Sequence, residues 1–157
     1  MVRCIAIDDE PSALKVIAEY AEYTAEMELL AATTNPVEGL RLAVDLAVDA
    51  IFLDIQMDIM NGLEVLKRLP DGIYVIITTA YNEFAIDVVR EDYVLDYLLK
   101  PFKLEKFKSA AQMIINKVTN QNKVVLVDRD YLFVPHFVKG SRKRIWKLNT
   151  WRRLTIA

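Results

Sequence analysis

The stretch VRCIAIDDEPSALKVIAEYA (Val2–Ala21) holds the change of period on which the fold turns. Its first third is a short, nearly continuous apolar run, as expected of a strand covered on both faces of a parallel sheet. Pro11 then stands where a first helical turn accepts a residue without an N–H. Leu14, Ile17, Ala18 and Ala21 recur at the i, i+3, i+4, i+7 spacing of one helical face, so 11–24 reads as a helix. At the junction three carboxylates, Asp8, Asp9 and Glu10, stand side by side. Neighbouring carboxylates resist ionising together. The cluster therefore implies either a bound cation or a loop whose charges splay into water, and both readings are open at this point.

The same alternation continues along the chain. MELLAAT (27–33) reads as a strand, and Pro36 opens a helix carrying Val37, Leu40, Val44 and Ala47. AIFLDI (50–55) is a strand, and the turn MDIMNG leads to a helix near 63–69. IYVIIT (73–78) is rich in β-branched residues and reads as a fourth strand. A short helix near 82–90 and a fifth strand, VLDYLL (94–99), follow. Leu104, Phe107, Ala111, Ile114, Ile115 and Val118 place a last helix at 103–119. Five βα units in sequence predict an α/β fold, a five-stranded doubly wound parallel sheet with helices on both faces.

In such sheets the site lies outside the carboxyl ends of the strands. Strand one ends in Asp8, Asp9 and Glu10, strand three in Asp54, strand four in Thr78 and Thr79, and strand five runs into Lys100-Pro101. Carboxylates, a hydroxyl and an ammonium thus converge from separate parts of the chain. A few hard oxygen ligands suit Mg²⁺, which binds through one or two carboxylates plus phosphate oxygens and keeps several waters. Other chemistries lack their patterns: no P-loop, dinucleotide, zincin or hydrolase-elbow motif occurs. The single histidine, His136, lies beyond the βα units, which disfavours a Ser-His-Asp triad. Cys4 is the only cysteine and supports neither a disulfide nor a zinc site. No apolar run reaches the ~18 residues a membrane span needs, and no signal-peptide pattern opens the chain. The expected location is the cytoplasm.

AIDDEPSAL, IFLDIQMDIMNGLEVL, IITTAYNEFAIDVV and DYLLKPF, in this order, resemble the response-regulator receiver domain of bacterial two-component signalling. TAYNEFAI with LDYLLKPF is most similar to receivers of the LytTR (LytR/AlgR-type) group. The resemblance covers about residues 1–120 and implies a flavodoxin-like sheet of strand order 2-1-3-4-5. It implies Asp54 as phospho-acceptor for a sensor histidine kinase. Asp8, Asp9, Asp54 and the backbone carbonyl of Gln56 become the Mg²⁺ ligands, with Asp8 acting through water. Thr79 and Lys100 would hold phosphoryl oxygens, Tyr97 would be the switch aromatic, and Lys100-Pro101 a cis peptide. A homodimer is compatible with the group. One departure is visible: the family often has proline after the Met of its third-strand loop, where this chain has Asp58.

Residues 121–157 form a separate, basic segment. From Lys123 onward the chain carries nine Lys or Arg against two Asp, whereas residues 1–122 carry eleven against twenty. Such a basic run with Tyr131, Phe133, Phe137, Trp146 and Trp151 is compatible with weak, salt-sensitive contact to DNA. An incomplete β-hairpin whose charges are merely solvated fits it better. DYLFV and FVKGSRKRIWKL faintly resemble the opening strands of a LytTR DNA-binding domain, in truncated or atypical form, which would make the output transcriptional. Two rival functions stand beside this reading. One is a stand-alone phosphorelay or protein-binding receiver without a DNA target. The other, a Mg²⁺ phosphatase of the haloacid dehalogenase class, expects D-x-D on its first strand, which Asp8-Asp9-Glu10 does not match.

Overall fold

Residues 1–80 and 92–121 are described by a computed structural model, together with the backbone of three short strands further on. The βα alternation is realised in β1 (Val2–Ile7), α1 (Pro11–Glu22), β2 (Met27–Thr33), α2 (Pro36–Asp45), β3 (Ala50–Asp54), α3 (Gly62–Arg68), β4 (Tyr74–Thr79), β5 (Val94–Leu99) and α4 (Leu104–Gln121). The sheet order is β2-β1-β3-β4-β5, and every pairing within it is parallel. This is the flavodoxin-like order expected. The helix expected at 82–90, along with His136 and Trp151, falls outside the described residues.

Strand alternation divides the interior into two layers. Cys4, Ala6, Phe52 and Ile76 face one side and pack with Leu14 and Ile17 of α1 and with Phe107 and Ile114 of α4. Phe52 and Phe107 stack with ring centroids 4.9 Å apart. Burying each of these rings stabilises the fold by about 1.5–3 kcal/mol. Ile5, Ile7, Ile51, Leu53, Val75 and Ile77 face the other side, against Ala43 of α2 and Val65 of α3. The central strands are nearly continuous apolar runs because both of their faces are covered, with Arg3 exposed near the start of β1.

Helix α2 corrects the sequence reading. Val37 and Val44 are exposed, and the buried positions are Pro36, Gly39 and Ala43. The helix lies so close to β1 that a Cβ at Gly39 would sit 2.4 Å from Ile7 Cδ1. Pro36, Gly39 and Ala43 make the close contact, Leu40 packs half-buried beside them as expected, and the valines turn outward. Ala47 lies beyond the helix in a left-handed conformation, φ +46°, a position glycine usually takes after a helix end.

Beyond α4, strands β6 (Val125–Asp128), β7 (Tyr131–Phe133) and β8 (Ile145–Lys147) form an antiparallel sheet in that order. No helix among the described residues is long and apolar enough to cross a membrane.

Candidate functional site

Parallel pairing brings the strand ends together. Ile7 is level with Leu53, and Asp54 with Thr78, so Asp8 follows β1 beside the end of β3. Asp8, Asp9 and Asp54 each offer a carboxylate oxygen within 4.8 Å of the others. Asp8 is fully buried and Asp54 is 3% exposed, whereas Asp9 is half-buried and Glu10 exposed. Asp8 and Asp54 are thus buried together with Asp9 at their margin, while Glu10 is exposed.

Their charge is met by Lys100, which follows β5. Its ammonium lies 2.7 Å from Asp8 Oδ2, 3.4 Å from Asp54 Oδ1 and 3.5 Å from Glu10 Oε2. Asp8 also accepts from the Glu10 amide at 3.0 Å and from the Thr78 hydroxyl at 3.5 Å. The Thr78 contact could not be read from the sequence, since it depends on the register between β3 and β4. The Lys100 amide donates to the Thr79 carbonyl at 2.7 Å, which fixes the mouth of β5 against β4. Lys100-Pro101 is cis.

The loop after β3 is held by close packing. A Cβ at Gly62 would lie 2.3 Å from the Asp54 carbonyl oxygen and 2.8 Å from Ile55 Cα, so glycine is required for α3 to start there. The Gly62 amide donates to the Ile55 carbonyl at 2.9 Å, and Asn61 caps α3 by accepting from the Leu63 amide at 2.8 Å. The cap satisfies an otherwise orphaned amide of the first turn. The NG pair in MDIMNG carried that signal.

Burial sets the electrostatics. It pushes the Asp54 carboxyl up to about 6; Lys100 opposes the shift, and Asp8 and Asp9 reinforce it. Burial also raises Asp8, against the bond from Lys100 and that from the Glu10 amide. For Lys100 burial alone would lower the pKa, but the bond and charge of Asp8, aided by Asp54, raise it. The ammonium therefore stays charged beside carboxyls that bind protons more readily than free aspartate.

Three carboxylates against one ammonium leave an excess of negative charge that a cation can meet. All three donors are hard oxygens, and their mutual spacing fits a single small oxygen-seeking ion. Of the remaining residues singled out, Gln56 is exposed two positions after Asp54, Thr79 is buried at the end of β4, and Tyr97 is half-buried on β5. Tyr97 packs at the margin of the layer formed with α2 and α3.

The profile of the response regulator receiver domain matches residues 4–112. An uncharacterised response regulatory protein of Yersinia pestis is 38% identical over 150 residues, covering 94% of this chain and 62% of its own. The transcriptional regulatory protein BtsR of Escherichia coli K12 is 36% identical over 111 residues, covering 68% of this chain and 46% of its own. Among solved structures, the REC domain of AraT, a response regulator from Geobacillus stearothermophilus, superposes with a TM-score of 0.69 at 31% identity. That likeness covers 78% of this chain and 100% of the solved one. The chain spans about half the length of the curated relatives it matches.

Proposed function

Because the chain belongs to the response regulator receiver family, we propose that it takes a phosphoryl group from the phosphohistidine of a sensor histidine kinase onto Asp54 and switches conformation in consequence. The observation that carries this reading is the position of Asp54: buried at the end of β3, within 4.8 Å of Asp8 and Asp9 oxygens and 3.4 Å from the Lys100 ammonium.

Transfer brings one anion against another, so its barrier is chiefly electrostatic. An Asp54 carboxylate oxygen attacks phosphorus, the P–N bond to the imidazole breaks, and its electron pair returns to the ring nitrogen. The product is an acyl phosphate on Asp54. Asp9, Asp54 and the backbone carbonyl of Gln56, with Asp8 through water, would hold Mg²⁺, which would supply neutralisation of the phosphoryl charge. Lys100 leaves its pairing with Asp8 to hold a phosphoryl oxygen. Thr79, at the end of β4, donates its hydroxyl to another.

The switch proposed links Thr79 to Tyr97 on the neighbouring strand, where Tyr97 is level with Ile77 and Thr79 with Leu99. New charge-assisted bonds to the phosphoryl group provide the differential energy that any two-state element needs. The output proposed is transcriptional and the location cytoplasmic. Support for the output comes from BtsR, named a transcriptional regulatory protein, and from the Yersinia relative, whose similarity runs into residues 121–157. The antiparallel β6–β8 unit and its excess of basic residues fit the opening strands of a LytTR-type DNA-binding domain.

Phosphotransfer from autophosphorylated histidine kinases tests the reading. One kinase should label the chain within seconds and faster than the others, and Asp54→Asn should take no label. Absence of transfer from every kinase of the same cell would contradict it.

A further inference from the structure

We infer that the backbone amide of Asp58 is a positioning group for Asp9, orienting that carboxylate toward a divalent cation. The inference rests on the proposed role of Asp9 as a metal ligand. Asp8 and Asp54 are both held by Lys100. Asp9 is held from another quarter: the Asp58 amide donates to its Oδ2 at 3.4 Å, across the gap between the β1 and β3 loops. A donor on one carboxylate oxygen biases the rotation of the group and so the direction of the other oxygen.

The loop is built to keep that amide in place. Met57 and Met60 are buried on either side of the exposed pair Asp58 and Ile59. At its far end the loop is tied by the bond from the Gly62 amide to the Ile55 carbonyl and by the Asn61 cap. The side chains at 57 and 60 thus anchor the segment, and the peptide between them faces Asp9. Only a residue with an N–H can serve, which gives a function to the absence of proline at this position. The Asp58 side chain is exposed.

The test is a Mg²⁺ titration of the whole chain, followed by amide ¹H–¹⁵N shifts, in wild type, Asp58→Ala and Asp58→Pro. Loss of one charge-assisted hydrogen bond predicts binding about fivefold weaker in Asp58→Pro, with Asp58→Ala within about twofold of wild type. In an Asp9→Ala background the proline change should make no further difference. Equal affinity of wild type and Asp58→Pro would overturn the inference, as would equal weakening by both changes, which would assign the effect to the carboxylate. A wild type blind to Mg²⁺ would overturn the metal role itself. Hydrogen exchange supplies a measurement that does not depend on the proline variant folding. The Asp58 amide should exchange faster in Asp9→Ala than in wild type, and an unchanged rate would refute the bond.

Discussion

The Lys100 ammonium lies 2.7 Å from Asp8 Oδ2, an ion pair that joins the residue following β5 to the residue following β1. Asp8 is fully buried, so removing its partner leaves a desolvated carboxyl. Such a loss costs several kcal/mol where the remaining group must stay charged, and less where it can take up a proton. Lys100→Met should therefore destabilise the metal-free protein by about 2–4 kcal/mol at pH 7 and by less at pH 5. Urea unfolding at the two pH values measures both, and a loss that does not shrink in acid would contradict the pairing.

Asp54→Asn should have the opposite effect. With the folded-state carboxyl raised to about 6 from 3.8, the native state binds the proton more tightly than the unfolded chain. Its contribution is fully present below 3.8 and is lost as pH rises through about 6. The neutral amide avoids that loss. Without metal, Asp54→Asn should be more stable than wild type by about 1–3 kcal/mol at pH 7.5, with the two converging near pH 4. A constant difference across the range would show that packing, not charge, is responsible.

Gly62→Ala places a methyl 2.3 Å from the Asp54 carbonyl oxygen. Backbone, not a flexible side-chain end, must yield, so the acceptor itself moves. Expected are a loss of about 2–4 kcal/mol and slower phosphorylation at saturating Mg²⁺. An unchanged rate in the folded variant would show that the site tolerates the shift.

Ala47→Gly tests the fold away from the site. At φ +46° an L side chain is strained and glycine is not, so the change should stabilise by about 0.5–1 kcal/mol. Phosphorylation should be unaffected. Thermal unfolding gives the answer, and destabilisation would mean that the alanine methyl contributes more by packing than its backbone loses by strain.

The sheet and the acids at its edge were legible because buried strands leave nearly continuous apolar runs and the polar residues that end them stand out by contrast. Asp8, Asp54 and Lys100 stand at such strand ends in the sequence and lie together in the structure, and Thr79 stands at the end of β4. The packing of α2 was not legible. Its close contact with β1 is made at Gly39, with Ala43 buried beside it, and small residues leave no mark in a periodicity of large ones, so Leu40 lies on the packed face as expected while Val37 and Val44 drew that face too far round. The bonds from Thr78 to Asp8 and from the Asp58 amide to Asp9 were equally hidden. They depend on strand register and on where a backbone amide points, neither of which is written in residue types. Among the roles assigned by resemblance, the cis bond before Pro101 is present.

Thr79→Ala should leave Asp54 able to accept phosphate but uncouple it from Tyr97. The comparison is of amide spectra for residues 92–100 with and without a bound phosphoryl mimic. Wild type should show shifts there and the variant should show few. Equal shifts in both would place the switch elsewhere.

Intact-mass analysis after incubation with a small phosphoramidate tests the central claim most directly, because it needs no knowledge of the kinase. The wild-type chain should gain one phosphoryl group, only when Mg²⁺ is present, and peptide mapping should place it on Asp54. Asp54→Asn should gain none. Equal phosphorylation of the two proteins, or labelling of the wild type undiminished by chelation of the metal, would contradict the account.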